Sequence, residues 1–486
     1  MLYAFYLIMS RLTAATQFAL AIRHSLKSTS QISSTAYSPI IRYTFRMEPR
    51  TVNWLFVDLN SYFASIEAEL RPELRGQPIG IVPVADVETT VCIAASYQAK
   101  KYGVKTDTAV HDAKMLCPHI LLVEARPRHY VEYHHRIIAA IERCIPVHTV
   151  MSCDEFACQL LGREREIQRA TSIAYAIKQE LRTVGITLRC SIGLAPNRLL
   201  AKIAGDMDKP DGLMIFERRN LPQALYCLKL DDIPGIGSRM EERVRGAGVS
   251  TMKELCALPR DKMHGIWGSV WGDRLWHWFR GDDFLEPEPR KLQTLSRQHI
   301  LPPRCRPRDV ARGVALKLLH STARRMRREQ LWAGGVAVQI SYYNGKPYEA
   351  GIRIAPCCDT LTLQEHFLIL WNRSPMHDDL ASLAVMLTHL DTEPTADLFV
   401  PDSTPETAQA KQRVISAVDA MNARYGLNTV FLGSIHDARK EAPTRIPFGP
   451  PPPLEEFDDT ADNVRRPPTR YTLTPEQLGR RRGKAG

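Results

Sequence analysis

Two adjacent acids, Asp154 and Glu155, stand inside the otherwise apolar, strand-like stretch MSCDEFACQL at residues 151–160. Burying two unpaired carboxylates costs several kcal/mol each, so the fold must bring this pair to a solvent-facing edge or neutralise it with a cation. A second apolar run, WLFVD from Trp54 to Asp58, also ends in a carboxylate. It reads as a buried strand that delivers an acid at its C-terminal edge, followed by a helix over SYFASIEAEL. Three acids converging from two neighbouring strands suit hard divalent ions, which take oxygen ligands from carboxylates, phosphates and water. Two such ions can clamp the attacking and leaving oxygens of a phosphoryl transfer. An Asp at a strand end and an Asp-Glu pair also occur as ordinary solvated features, so neither motif decides the chemistry alone.

Two further segments carry positive charge near turns. AASYQAKKYGVKTDTAV (94–110) places Tyr97, Lys100 and Lys101 on one short helix before a turn at Gly103. RCSIGLAPNRLLAKIAGDMDKPDG (189–212) runs from a strand through a turn into a helix and ends in a Lys-Pro-Asp-Gly turn. Such lysines are either solvated or supply the charge that a triphosphate requires.

The 486 residues allow roughly three domains. A formal charge of +11 leaves nucleic acid, an anionic membrane and no partner all open; its distribution favours the first. Residues 291–330 carry 11 Lys or Arg against Asp309 and Glu329 alone, with Arg324, Arg325, Arg327 and Arg328 inside five positions. Such a face gains affinity for phosphates by counterion release. The eleven cysteines form no CxxC pair, which argues against a structural zinc site and a disulfide framework and points to a reducing compartment. No apolar run reaches the ~18 residues of a membrane span. Residues 1–50 read as an extension. The first 47 residues hold five Lys or Arg and no acid before Glu48, which fits either an organelle transit peptide or a true start at Met47.

The four motif segments, in this order and spacing, resemble the Y-family DNA polymerases, with likeness to both their polymerase IV and polymerase V branches. The likeness is strong over residues 53–285. It implies an α+β right-hand polymerase: a ferredoxin-like palm (51–61 and 127–217), small fingers (62–126) and a helical thumb (218–288). An α/β little finger that binds DNA (291–391) would follow, then a tail (392–486) with a clamp-binding linker, a short helix and strand, and a disordered Pro-rich end. The implied reaction is attack of a primer 3′-hydroxyl on a template-paired deoxynucleoside triphosphate. It would be low-fidelity translesion synthesis by a monomer in the bacterial cytoplasm, without proofreading because no exonuclease-like segment is present.

By that resemblance Asp58, Asp154 and Glu155, with the carbonyl of Leu59, hold two Mg²⁺ ions, Mn²⁺ being the alternative. Phe63 excludes a ribose 2′-hydroxyl, Tyr62 lies in the same nucleotide-binding turn, and Tyr97, Lys100 and Lys209 bind the triphosphate. Lys202 fits the family pattern and equally fits helix packing. Lys100 stands where the polymerase IV branch has Arg, which keeps the charge and loses the planar two-pronged contact. Cys153 replaces an Ile or Val before the acids. Gly235 and Gly237, in IPGIGSRMEERV, resemble a helix-hairpin-helix whose backbone amides approach a DNA phosphate. Arg324, Arg325, Arg327 and Arg328 are expected along the primer-template. TADLF (395–399) resembles a sliding-clamp peptide anchored by Leu398 and Phe399. The rival readings are a catalytically weak accessory factor of mutagenic repair on the same fold, and an unrelated helix-hairpin-helix scaffold or nuclease, which leaves 94–110 and 189–212 unexplained.

Overall fold

The computed structural model describes residues 52–83, 90–284, 291–375, 380–393, 405–447, 449–457 and 469–470. In chain order its strands are β1 (Trp54–Leu59), β2 (Ile79–Val82), β3 (Ala94–Ala95), β4 (Leu121–Glu124), β5 (Thr149–Val150), β6 (Glu155–Gln159) and β7 (Cys190–Ala195). They continue with β8 (Leu213–Ile215), β9 (Thr294–Ile300), β10 (Trp332–Tyr342), β11 (Tyr348–Cys357), β12 (Leu380–Asp391) and β13 (Thr469–Arg470).

β1 occupies the centre of a five-stranded sheet ordered β5-β6-β1-β7-β8, antiparallel to both neighbours. All six of its residues are buried because both faces of the sheet are covered. Leu55, Val57 and Leu59 join a core with the helices Pro127–Glu142 and Ile167–Val184. Trp54 and Phe56 join a second core with helix Arg198–Met207 and with four helices between Ser238 and Trp278. Alternate side chains thus go to opposite apolar layers, which is why the strand reads as an unbroken hydrophobic run.

Helix Arg198–Met207 touches the sheet backbone to backbone. A Cβ at Gly193 of β7 would fall 1.9 Å from the Ala201 carbonyl oxygen and 2.5 Å from the Gly205 nitrogen. The glycine therefore sets how closely the helix, and with it Lys202, stands to the acid-bearing strands.

A second sheet, β13-β4-β2-β3, carries the short helices Tyr97–Lys100 and Val110–Leu116, separated by the turn in which Gly103 adopts a φ of 92°. The expected strand over TTVCIAA shrinks to Ala94–Ala95. Cys92 instead exchanges backbone hydrogen bonds with the turn at Asp107 and Thr108 (both 2.8 Å), and Val91 makes an isolated bridge to Ala109.

The third sheet, β11-β10-β12-β9, is fully antiparallel. The helices Arg308–Arg328 and Thr360–Arg373 share one hydrophobic core with it.

The tail departs from expectation. Its helix begins at Pro405 and ends at Tyr425. Residues 426–432 turn rather than form a strand, because the Asn422 side chain accepts from the Val430 amide (3.0 Å) and donates to its carbonyl (2.8 Å). Ile435, Ala438 and Ala442 then enter the third sheet's core, and Glu456 and Phe457 are buried. A polar, Pro-rich stretch orders here by inserting a few side chains into surfaces that other segments have already built.

Candidate active site

The acids meet where β1 ends and β6 begins. Asp58 and Glu155 are cross-strand partners, and the Leu59 amide donates to the Asp154 carbonyl at 2.9 Å, so both acid-bearing segments are joined at this edge. Cross-strand partners project from the same face of a sheet. That face is the one covered by helix Arg198–Met207, whose Lys202 lies 5.2 Å from the centroid of the Phe56 ring and pairs with Glu155.

Asp58 is 7% exposed. Burial pushes its carboxyl up to about 7, against the lowering pull of Lys209, whose ammonium lies 2.8 Å from Asp58 Oδ2 and 2.7 Å from Asp206 Oδ1. Lys209 moves up in turn, because the attraction of Asp58 and Asp206 outweighs its own burial. Asp154 is less enclosed and accepts from the Ser152 hydroxyl at 2.5 Å. Among the described residues no three His, Cys, Asp or Glu side chains are gathered at metal-binding spacing. Two ammonium groups, from Lys202 and Lys209, balance the acids instead.

The donor set nevertheless suits a divalent cation. Its groups are hard carboxylate oxygens, and the buried Asp58 carboxylate already draws a cation in the form of Lys209. The turn after β1 holds Ser61 in a left-handed conformation (φ 48°), with its buried hydroxyl lacking a hydrogen-bond partner. A non-glycine residue in that region stores strain and commonly marks a functional turn.

The position of Lys209 is set by residues that sequence reasoning passed over. Asn60, buried beside Asp58, accepts from the Asp211 amide at 2.8 Å and donates to Ser191 Oγ at 3.2 Å. Ser191 donates to the Asp208 carbonyl at 3.0 Å. Lys178 reaches across from its helix to the Cys190 carbonyl (2.6 Å) and to both the carbonyl and carboxylate of Asp211 (2.8 Å each). The Lys-Pro-Asp-Gly turn is thereby tied to the ends of β1 and β7. The Asn in VDLN was the available signal; Lys178 had none, since it sits in an ordinary amphipathic helix. His134 was also missed: its Nδ1 lies 2.8 Å from the Cys153 carbonyl, and it holds the loop that carries Asp154.

Tyr97 and Lys100 lie close enough to Asp58 and Lys209 for both charges to act on them. Lys100 lies 4.5 Å from the centroid of the Tyr97 ring. Burial lowers the Lys100 ammonium and Lys209 lowers it further, while burial raises the Tyr97 phenol. Three cationic or phenolic groups therefore crowd one side of Asp58, a disposition that favours an arriving polyanion. Phe63 stacks on Tyr130 at a centroid distance of 4.4 Å and an interplanar angle of 14°. Tyr130 donates to Glu67 at 2.9 Å, and Glu67, wholly buried, is gripped by Arg126 at 3.0 and 2.6 Å. The Tyr62 hydroxyl donates to the Tyr130 carbonyl at 2.6 Å, which holds its ring in the core.

Away from this site, Gly235 adopts a φ of 93° and Gly237 caps helix Ser238–Gly246, with open space around Gly237. The four arginines expected along the primer-template are largely engaged with the chain's own acids. Arg327 pairs with Asp419 at 2.6 and 3.0 Å, Arg325 with Glu329 at 2.8 Å and Arg328 with Glu456 at 2.5 Å, and Arg324 is partly enclosed. Leu398 and Phe399 lie outside the described residues.

Comparison with known proteins places the chain in a family. The impB/mucB/samB family model matches residues 57–206, and the model of that family's C-terminal domain matches residues 293–398. The chain is 34% identical over 278 residues to DNA polymerase IV of Moorella thermoacetica, covering 56% of this chain and 69% of that one. It is 26% identical over 404 residues to DNA polymerase IV of Bacillus velezensis, covering 80% and 94%. Among solved structures, a Y-family DNA polymerase chimera superposes with a TM-score of 0.60 at 22% identity, over 70% of this chain and 99% of the chimera. An insertion ternary complex of the Dbh DNA polymerase superposes at 0.50 with the same identity and coverage. These likenesses bear on the fold.

Proposed function

The chain belongs to the impB/mucB/samB family of Y-family translesion DNA polymerases, and from that premise we propose that it extends primers on damaged templates through the acids at the end of β1 and the start of β6. The observation that carries the site assignment is the cross-strand pairing of Asp58 with Glu155, each balanced by an ammonium from a neighbouring segment. Asp58, Asp154, Glu155 and the Leu59 carbonyl are the groups that would hold two divalent ions, Mg²⁺ or Mn²⁺. When bound, such ions neutralise charge on the attacking and leaving oxygens of the phosphoryl transfer.

The chain's own residues supply the rest. Lys209 is tied to Asp58 in the absence of substrate, and a triphosphate offers it a better anion. Its transfer from carboxylate to phosphate frees Asp58 at the moment the nucleotide arrives, so loading and metal-site assembly are coupled. Tyr97 and Lys100 bind the same phosphates. Phe63, backed by Tyr130, presents a fixed ring against the sugar and excludes a 2′-hydroxyl, and Tyr62 fixes the turn from below. The helix that begins after Gly235 and Gly237 grips a backbone phosphate of the duplex without reading sequence. Leu398 and Phe399 remain the clamp anchors in this reading. Catalysis comes from positioning and charge neutralisation, and the chain synthesises without proofreading.

Primer extension on undamaged and abasic templates, with Mg²⁺ and all four deoxynucleotides, tests the proposal. Wild-type extension that disappears in Asp154→Ala and in Glu155→Ala supports it. Tight, salt-sensitive primer-template binding with no wild-type extension supports the accessory-factor reading instead, in which the lysine-balanced acids are a resting structural arrangement.

A further inference from the structure

Both lysines that balance the acids share a further carboxylate. Asp206 stands on helix Arg198–Met207 four positions after Lys202, which puts the two on one helix face. Its carboxylate meets the Lys209 ammonium at 2.7 Å, while the same ammonium lies 2.8 Å from Asp58 and Lys202 pairs with Glu155. Asp206 and Glu155 together raise the Lys202 ammonium, and Asp206 adds to the repulsion felt by Asp58. A line of alternating charge thus runs from Glu155 through Lys202, Asp206 and Lys209 to Asp58, with Asp206 at its middle.

Helix stability does not call for an acid there. Asp206 is the second-last residue of its helix, where the carbonyl ends disfavour negative charge, and Lys202 precedes it by four, the weaker order for a helical ion pair. A residue that breaks two local rules is explained by what it does for its neighbours.

What it does concerns the moment at which Lys209 leaves Asp58. An ammonium that gives up its partner in a partly buried site must find another anion or stay unpaired, at the cost of its desolvation. Lys209 already touches a second carboxylate, so it can release Asp58 without being left unpaired. Asp58 is buried, whereas the Asp206 side chain is 37% exposed, so the second partner is the better hydrated one and the easier to leave in turn.

We infer that Asp206 is a positioning residue that shares Lys209 with Asp58, loosening the lysine's hold on the acid that receives a divalent cation and setting how strongly cation loading depends on nucleotide. With Asp206 present, Asp58 is partly released before a nucleotide arrives, and the triphosphate completes the transfer. Without it, Lys209 is committed to Asp58 until phosphate draws it away. Asp206 also competes with the triphosphate for Lys209, so it favours the cation and opposes the nucleotide. This inference deepens the polymerase reading above and rests on it.

The test measures Mn²⁺ binding to the full chain, without nucleotide, from the loss of the free-ion signal in electron paramagnetic resonance. Asp206→Asn should weaken binding about tenfold, combining the loss of a partly exposed ion pair with the loss of a nearby negative charge. In a Lys209→Met background only the second part remains, and the loss should fall to about threefold in the double-mutant cycle. A loss just as large without Lys209 means that Asp206 acts by its field alone and overturns the inference. Asp206→Glu guards against a folding fault: it keeps the charge and should bind Mn²⁺ as wild type does, and a loss equal to that of Asp206→Asn overturns the inference.

Primer extension gives a second readout. Asp206→Asn should raise the half-saturating Mg²⁺ concentration and, at saturating Mg²⁺, lower the half-saturating deoxynucleotide concentration. A merely structural defect raises both, and that result also overturns the inference. Asp58→Asn separates the two levels of failure. If it removes Mn²⁺ binding that wild type shows while Asp206→Asn matches wild type, only the role of Asp206 fails. If wild type shows no Mn²⁺ binding that Asp58→Asn removes, the reading of the acids as a metal site fails, and this inference with it.

Discussion

Replacing Asp58 with Asn should stabilise the metal-free protein while removing its activity. Burial holds the Asp58 carboxyl at about 7 in the folded chain against an ordinary 3.8, even with Lys209 beside it. The sign follows from proton linkage. Below the unfolded value the group is neutral in both states and has no effect. Between 3.8 and 7 the unfolded chain ionises while the folded chain stays protonated, so stability falls as pH rises. Above 7 both states are ionised and the full penalty persists. At about 1.4 kcal/mol per pH unit the penalty amounts to about 2 kcal/mol at pH 5 and about 4 kcal/mol at pH 8. Asp58→Asn removes it, and Lys209 retains Asp206 as a partner. Thermal melts of wild type and Asp58→Asn in chelator should therefore diverge in the variant's favour from pH 5 to pH 8, by about 3 kcal/mol. Added Mg²⁺ or Mn²⁺ with deoxynucleotide should raise the wild-type midpoint and leave the variant unmoved, because only a state that binds ligand is stabilised by it. A variant that is less stable than wild type by the same amount at both pH values refutes the reasoning. Asp58 would then be a structural partner of Lys209 rather than a strained ligand awaiting a cation.

Two further outcomes follow from the surroundings of the site. Phe63→Ala should raise the ratio of ribonucleotide to deoxynucleotide incorporation by at least about tenfold in single-nucleotide extension, the size expected when a steric contact of about 1.4 kcal/mol is lost; an unchanged ratio removes Phe63 from sugar selection. Gly193→Ala should destabilise the chain by about 1–3 kcal/mol in a denaturant titration, since its Cβ would fall 1.9 Å from the Ala201 carbonyl oxygen and push helix Arg198–Met207 off the sheet. A neutral effect would mean the helix does not fix the position of Lys202.

What sequence alone determined is local. WLFVD declared a strand buried on both faces, because a run with no polar alternation has no solvent side, and Asp58 at its end stood out for the same reason. Asp154 and Glu155 stood out as charges in an apolar stretch, and Gly103, Gly235 and the Lys-Pro-Asp-Gly turn declared bends by their backbone chemistry. The likeness to a polymerase family came from these same short segments, since each is a few residues whose types are dictated by one contact.

Pairing and competition between distant segments belonged to the tertiary structure. Only the β1–β6 register sets Asp58 opposite Glu155, and a slip of one residue would turn one of them to the other face. Only the approach of helix Arg198–Met207 to Gly193 sets Lys202 against Glu155, and only Asn60, Ser191 and Lys178 acting together hold Lys209 over Asp58. The arginines of residues 324–328 read as a concentrated basic face, since charge along the chain says nothing about which acids fold back to meet it. Asp419 and Glu456 lie about 90 and 130 residues further on, and their effect depends on where the chain between them runs, which no local pattern encodes. Local chemistry is written in residue type and spacing; the balance of charge at a site is a sum over the whole fold.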